Sequence, residues 1–207
     1  MAMILSLPRL YPILDASFFE DISSLCEAAR ELVAGGCHLL QYRNKSGNAR
    51  QMLDQARELR ARLGANVTLI MNDRADLCLA AEFDGVHVGQ DDLSPEAARR
   101  IIGASRWLGV STHNPEQLAE ADLTSADYLA IGPVFATSSK ANPDPVVGLE
   151  GVRRARALTR KPLVAIGGIT RANARSVIEA GADSVAVISD LLREPRKSAE
   201  EFLGILG

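Results

Sequence analysis

Cations, carboxylates, hydroxyls and glycines recur in this chain directly after short apolar runs. The run that includes Leu39 and Leu40 leads into Gln41-Tyr42-Arg43-Asn44-Lys45, and residues 67–71 lead into Asn72-Asp73-Arg74. Gly85–Val88 leads into Gly89-Gln90-Asp91-Asp92, and residues 107–110 into Ser111-Thr112-His113. Tyr128–Ile131 precedes Gly132-Pro133 and then Thr137-Ser138-Ser139-Lys140. Leu163–Ile166 ends in Gly167-Gly168, and Ser184–Val187 in Ile188-Ser189-Asp190. If the runs are parallel strands closed into a ring, all these tails project from one end and share one pocket.

Each group suggests a task. Gln41, Arg43 and Lys45 alternate, so an extended backbone points all three to one side. Arg and Lys attract phosphate oxygens, and a Gln amide can both donate to and accept from a heterocycle edge. A solvated charged surface is the competing role. Asp73 and Asp92 follow neighbouring strands and can converge. Two carboxylates suit Mg²⁺, which keeps waters and shares substrate phosphates. Alternatively, Asp73 caps a helix at Ala75–Ala80 and Asp92 is a solvated loop acid. Gly167-Gly168 and Ser189 follow the seventh and eighth runs, where barrels seat phosphate on backbone N–H groups. Glycine lets an anion approach the backbone, but a tight turn also needs it. Thr137, Ser138, Ser139 and Lys140 suit a loop closing over a charged substrate, or a polar surface loop. His113 is a candidate acid/base or an oriented structural histidine at a helix start. His87 lies within the fourth run and reads as packed, and His38 has no motif around it.

The elements that must position these groups are eight apolar runs, near 10–14, 37–42, 67–71, Gly85–Val88, 107–110, Tyr128–Ile131, Leu163–Ile166 and Ser184–Val187. Several are rich in Val and Ile, as buried parallel strands are. Between them lie helical patterns. Leu25, Ala28, Ala29 and Leu32 form one stripe, and Met52, Leu53, Ala56, Leu59 and Leu63 another. Ser94-Pro95 and Asn114-Pro115 each place an N-cap before a proline at the first helical position, with Gln117 near a capping-box position. Thr170 is expected to open a helix through Val177 and Ile178 that ends at Gly181. Eight strand–helix units at about 26 residues each predict a compact single-domain (β/α)₈ TIM barrel over residues 1–207, an α/β fold with its site at the C-terminal ends of the strands. A doubly wound open sheet would show a glycine-rich first βα turn, which Asp15-Ala16-Ser17-Phe18 lacks. The one long connection, 135–149, has the length of a lid or binding loop.

Composition narrows the class. The chain has 207 residues, 47% hydrophobic, with a net charge of −3. A general nucleic-acid binder would carry a basic excess. Cys26, Cys37 and Cys78 are odd in number and lack metal-ligand spacing, which predicts buried thiols in a reducing compartment. Residues 1–10 lack the basic stretch of a secretory signal, and no run reaches membrane-spanning length. A cytoplasmic protein is expected, with no nucleic-acid or membrane partner. A homo-oligomer is compatible with the sequence.

The ordered blocks Gln41-Tyr42-Arg43-Asn44-Lys45, Asn72-Asp73-Arg74-Ala75-Asp76, Gly85-Val86-His87-Val88-Gly89-Gln90-Asp91-Asp92, Gly109-Val110-Ser111-Thr112-His113, Gly132-Pro133-Val134-Phe135-Ala136-Thr137-Ser138-Ser139-Lys140 and Ala165-Ile166-Gly167-Gly168-Ile169-Thr170 resemble thiamine-phosphate synthase. The resemblance covers almost the whole chain. It implies a transferase that joins 4-amino-2-methyl-5-(diphosphooxymethyl)pyrimidine to 4-methyl-5-(2-phosphooxyethyl)thiazole, yielding thiamine phosphate and pyrophosphate. By this resemblance Gln41, Arg43, Lys45 and Asn72 hold the pyrimidine diphosphate, and Asp73 and Asp92 bind Mg²⁺. Ser111 contacts the pyrimidine, and Lys140 the diphosphate. Thr137 and Ser139 lie by the thiazole phosphate, with Gly168, Ile188 and Ser189 cradling it. Arg43, Lys45 and Lys140 are the implied catalytic cations of a dissociative reaction. Ser138-Ser139 replaces a more usual acidic residue and threonine, Ala136 a proline, and Tyr42 a leucine. A thiazole tautomerase or a non-catalytic precursor-binding protein would not need the full diphosphate and metal set.

Overall fold

Eight strand–helix units follow one another in the computed structural model, which describes residues 7–137 and 144–207. The strands are β1 (Leu10–Asp15), β2 (Leu39–Arg43), β3 (Thr68–Asn72), β4 (Gly85–Val88), β5 (Trp107–Thr112), β6 (Tyr128–Ile131), β7 (Leu163–Ile166) and β8 (Ser184–Val187). The helices are α1 (Ile22–Ala34), α2 (Ala49–Leu63), α3 (Ala75–Ala80), α4 (Pro95–Ile102), α5 (Pro115–Asp122), α6 (Gly148–Leu158), α7 (Ala174–Glu179) and α8 (Pro195–Leu206). Every strand pairs in parallel with the next, and β8 pairs with β1, so the sheet closes. This is the single-domain (β/α)₈ barrel expected from the alternating runs, and the β1–β8 ladder rules out the open sheet.

Strand alternation divides the interior into two shells. Leu14, Leu40, Met71, Val86, Leu108, Leu129, Ala165 and Val185 face the helices and join one large core with α1's Leu25, Ala28, Ala29 and Leu32. Each fully buried leucine there contributes about 1.5–3 kcal/mol. Tyr11, Ile13, Leu39, Ile70, Tyr128, Ala130, Val164 and Ala186 form a second cluster within the barrel. Above them, toward the C-terminal ends, the inward positions turn polar.

Four strands differ in extent from the apolar runs. β1, β2, β3 and β5 continue through Asp15, Arg43, Asn72 and Thr112. The ladder carries these polar ends, because Asp15 aligns with Arg43, Asn72 with His87 and Thr112 with Ile131. The proline-led helices form as expected. Ser94 Oγ accepts from Ala97 N–H at 3.3 Å, and Asn114 Oδ1 from Gln117 N–H at 2.8 Å. Helix α7 begins later than expected, at Ala174 rather than beside Thr170. Asn173 Oδ1 accepts the Thr170 N–H at 2.8 Å, holding 170–173 as a turn.

The N-terminal ends of the strands are clamped by one motif used three times. Asp84, Asp127 and Asp183 each immediately precede an even-numbered strand. Their carboxylates accept the N–H of Leu69 at 2.8 Å, Leu108 at 2.7 Å and Leu163 at 2.8 Å. The same carboxylates pair with Arg60 at 2.5 Å, Arg99 at 2.6 Å and Arg156 at 2.8 Å. Each clamp joins two strands and a helix at the barrel face where side chains serve stability rather than chemistry.

Candidate active site

At the other end, β1 to β4 build an ionic layer. Asp15, almost excluded from solvent, accepts from Ser17 N–H at 3.0 Å and from the Ser17 hydroxyl at 2.7 Å, and pairs with Arg43. The β1–β2 register sets the two side by side. Asp15 thereby fixes one edge of a guanidinium whose planar fork matches phosphate oxygens. Lys45, two residues on, is half exposed and pairs with Asp73.

Asp73 lies in the left-handed backbone region, with φ of 63°. Few side chains adopt this region easily, though Asp and Asn do so more readily than others. Its N–H donates to His87 O at 2.8 Å, and Asn72 Nδ2 donates to its carboxylate. Burial raises the Asp73 carboxyl above its usual value, Lys45 opposes the rise, and the facing Asp92 carboxyl reinforces it. Asp92 Oδ2 accepts the Gly89 N–H at 2.7 Å, closing the turn after β4. Neither acid caps a helix. Arg74 occupies the N-cap of α3, without a side-chain hydrogen bond, and Asp92 is oriented by its turn.

The two carboxyls therefore converge, as their places after neighbouring strands predict. Among the described residues, no cluster of three or more His, Cys, Asp or Glu side chains is placed to hold a metal ion. A pair of like charges pressed together beside cations fits an ion of the Mg²⁺ type, which completes its shell with water and substrate oxygens.

Below this layer, inside the barrel, Gln41 Nε2 donates to Tyr11 Oη at 3.0 Å. Tyr11 Oη lies 2.9 Å from Tyr128 Oη, and Tyr128 Oη lies 3.1 Å from His87 Nδ1. His87 Nε2 lies 2.8 Å from Ser111 Oγ. Burial lowers the His87 pKa to about 4, with Asp92 opposing the shift, so the ring is neutral at physiological pH. His87, expected to be packed, is buried but spans two hydroxyls.

On the far side of the mouth, Gly167 and Gly168 have φ of 99° and 64°. A Cβ on Gly168 would lie 2.4 Å from Ala136 O and 2.8 Å from Phe135 Cβ. Its absence lets the β7 turn press against the β6–α6 connection that leads to Thr137. Asp190 ties the β8 turn to the β7 turn, accepting from Arg171 N–H at 2.9 Å and Arg171 Nε at 3.2 Å. Gly168, Ile188 and Ser189 thus share one rim, with Ser189 exposed. The turn that precedes α7 offers no seat at Thr170 N–H, which Asn173 occupies. His113 Nδ1 lies 2.7 Å from Gly132 O, and its Nε2 lies 3.5 Å from Asp144, so it ties β5 to the same connection. Ser139 and Lys140 lie outside the described residues.

Gln41, Arg43, Lys45, Asn72, Asp73, Asp92 and Ser111 therefore gather on the β2–β5 side of the mouth. Asp15, Tyr11 and Tyr128 join them without having been singled out by the sequence. A separate groove of about 870 Å³ opens outside the mouth, between the loops after β1 and β2. Glu20, Asp21, Asp54 and Glu58 line it against one cation, Arg50, making it a poor seat for a phosphate.

Comparison with known proteins agrees with this geometry. Residues 10–191 match the family described as thiamine monophosphate synthase. A thiamine-phosphate synthase of Koribacter versatilis is 64% identical over 209 residues, covering 100% of this chain and 99% of that protein. One from Chloroflexus aurantiacus is 47% identical over 184 residues, covering 87% and 83%. The solved thiamine phosphate pyrophosphorylase of Pyrococcus furiosus superposes with a TM-score of 0.85 at 34% identity, over 96% of this chain and 95% of that one. The chain belongs to the thiamine monophosphate synthase family, and with it to the transferases of thiamine biosynthesis.

Proposed function

We propose that the C-terminal mouth of the barrel joins the aminopyrimidine methyl diphosphate to the thiazole phosphate by a dissociative substitution. The C–O bond to the diphosphate breaks first, and pyrophosphate leaves with the electron pair. The thiazole nitrogen then supplies its lone pair to the methylene carbon, forming the C–N bond of thiamine phosphate. The observation that carries this reading is the pair of facing carboxyls, Asp73 and Asp92, set beside Lys45 and Arg43.

Asp73 and Asp92 are the residues that would hold Mg²⁺. Bound there with the diphosphate, the ion would neutralise charge developing on the leaving group. Arg43, braced by Asp15, offers its fork to the same phosphate oxygens. Lys45, paired with Asp73 and half exposed, can exchange that partner for a phosphate oxygen. Lys140 is assigned to the diphosphate by family resemblance. Gln41, Asn72 and Ser111 take the pyrimidine end. Gly168, Ile188 and Ser189 take the thiazole phosphate on the opposite rim, which aligns the nucleophile, and Thr137 and Ser139 are assigned to the same phosphate by family resemblance. No protein nucleophile is required, and Cys26, Cys37 and Cys78 are buried free thiols. Burial pushes the Cys37 and Cys78 thiols up to about 12. Charge neutralisation and alignment are the two effects that the side chains can supply.

The reading extends to residues 1–207 as one catalytic domain. It places the chain in the cytoplasm, with small-molecule substrates and no nucleic-acid or membrane partner. Among the described residues, no helix is long and apolar enough to cross a membrane. The paired carboxyls favour a synthase over a tautomerase or a precursor-binding protein, neither of which needs a diphosphate-ionising set. An assay with both precursors tests it. Equal amounts of thiamine phosphate and pyrophosphate, formed with Mg²⁺ and abolished by a chelator, are expected. Conversion of the thiazole phosphate alone, or binding without turnover, would contradict the reading.

A further inference from the structure

The contacts from Gln41 through Tyr11, Tyr128 and His87 to Ser111 cross the barrel interior from β2 to β5. Their proton directions follow from counting. The Gln41 amide nitrogen is only a donor, so Tyr11 Oη accepts from it. Each phenol has one proton. Were Tyr128 to donate to Tyr11, Tyr11 Oη would accept twice. Its own proton would then need a further acceptor, and among the described residues its side chain has only these two partners. Tyr11 is 1% exposed, so water offers no alternative, and an unpaired buried donor is costly. Tyr11 therefore donates to Tyr128, and Tyr128 to His87 Nδ1. The imidazole proton then sits on Nε2 and donates to Ser111 Oγ. A doubly protonated His87 fails the same count, because it would force Tyr128 to donate to Tyr11.

The barrel makes room for this chain. A Cβ on Gly109 would lie 2.1 Å from Tyr128 Cζ and 2.4 Å from His87 Nδ1. The Tyr128–His87 contact thus occupies the space that a side chain on β5 would fill. Tyr128 also meets the Tyr11 ring edge-on, with centroids 6.1 Å apart, which holds the two phenols in reach.

We propose that Tyr11, Tyr128 and His87 are positioning residues that lock Ser111 as a hydrogen-bond donor at the mouth, selecting a heterocycle that presents an acceptor nitrogen there. The Ser111 oxygen receives the imidazole proton, so its own proton is the one the chain leaves to the ligand. At the other end, Gln41 spends one N–H on Tyr11 and keeps its carbonyl oxygen out of the chain. The two ends then match a ring bearing both an acceptor nitrogen and an amino group, as an aminopyrimidine does. This rests on the proposed placement of the pyrimidine beside Gln41 and Ser111.

Two readouts test it. In the full-length protein with ¹⁵N-labelled histidine, NMR correlation spectra should show His87 as the neutral Nε2–H tautomer. Tyr128→Phe removes the donor to Nδ1 and should shift that equilibrium. The same variant should raise KM for the pyrimidine diphosphate about tenfold and leave KM for the thiazole phosphate within twofold. Tyr11→Phe, a second variant in case Tyr128→Phe folds poorly, keeps the Tyr128-to-His87 bond. It should retain the Nε2–H tautomer while raising the pyrimidine KM through the loosened Gln41. An Nδ1–H tautomer in the unaltered protein would overturn the proposal by reversing the chain. An Nε2–H tautomer with an unchanged pyrimidine KM in Ser111→Ala would overturn it differently, by removing the pyrimidine from Ser111.

Discussion

The Asp73 carboxyl faces that of Asp92 from a left-handed backbone position and pairs with Lys45. A carboxyl whose folded-state pKa is raised lets the folded chain hold its proton longer than the unfolded chain. Stability from this group is present below the unfolded pKa and is lost as pH rises toward the raised folded value. Asp73→Asn should remove that loss, and asparagine tolerates the backbone. We expect its Tm without Mg²⁺ to equal or exceed that of the unaltered chain at pH 7, with turnover reduced at least about 10²-fold. Thermal melts at pH 4 and 7 beside steady-state rates check both parts. A large drop in Tm at pH 7 would show that Asp73 is structural.

Asp15 braces Arg43 through a pair in which the acid is almost fully buried. Arg43→Ala leaves Asp15 with Ser17 alone and should cost about 1–3 kcal/mol of stability as well as diphosphate affinity. Arg43→Lys keeps the charge but loses the fork. It should recover the stability and leave kcat/KM at least about tenfold low. Urea unfolding and kinetics of the two variants together separate the pairing role from the phosphate role.

The clamp at the opposite face gives the contrasting case. Asp127 accepts from Leu108 N–H and pairs with Arg99, far from the mouth. Asp127→Ala should lower stability by about 1–3 kcal/mol with KM for both substrates unchanged. A change in KM at constant folded fraction would mean that the two barrel faces are coupled.

Gly168 meets the β6–α6 connection rather than open space. A Cβ there would collide with the Ala136 carbonyl, and φ of 64° would strain any side chain. Gly168→Val should displace Ala136 and Thr137 and raise KM for the thiazole phosphate more than for the pyrimidine diphosphate. An equal effect on both would argue that the rim is not a phosphate cradle.

Much of this was readable from the chain. Val- and Ile-rich runs and proline-led caps marked the eight units, and period-two spacing put Gln41 and Arg43 on one side of β2, with Lys45 just beyond the strand's end. The helix before Gly181 is shorter than its apolar pattern predicts because Asn173, a side chain that competes with the backbone, captures Thr170 N–H. The buried chain was illegible for a different reason. Tyr11 and Tyr128 sit inside apolar runs and look like packing. Their partners lie 30, 117 and 41 residues away, so only barrel closure reveals them. Asp15 was hidden similarly, because its acid-to-cation pairing spans β1 and β2.

Calorimetric titration of pyrophosphate into the protein, with and without Mg²⁺, most directly tests whether Asp73 and Asp92 hold an ion that the leaving group shares. The account predicts that Mg²⁺ tightens pyrophosphate binding at least about tenfold, and that Asp73→Asn abolishes the gain. Binding of equal strength with and without Mg²⁺ in the unaltered protein would contradict it.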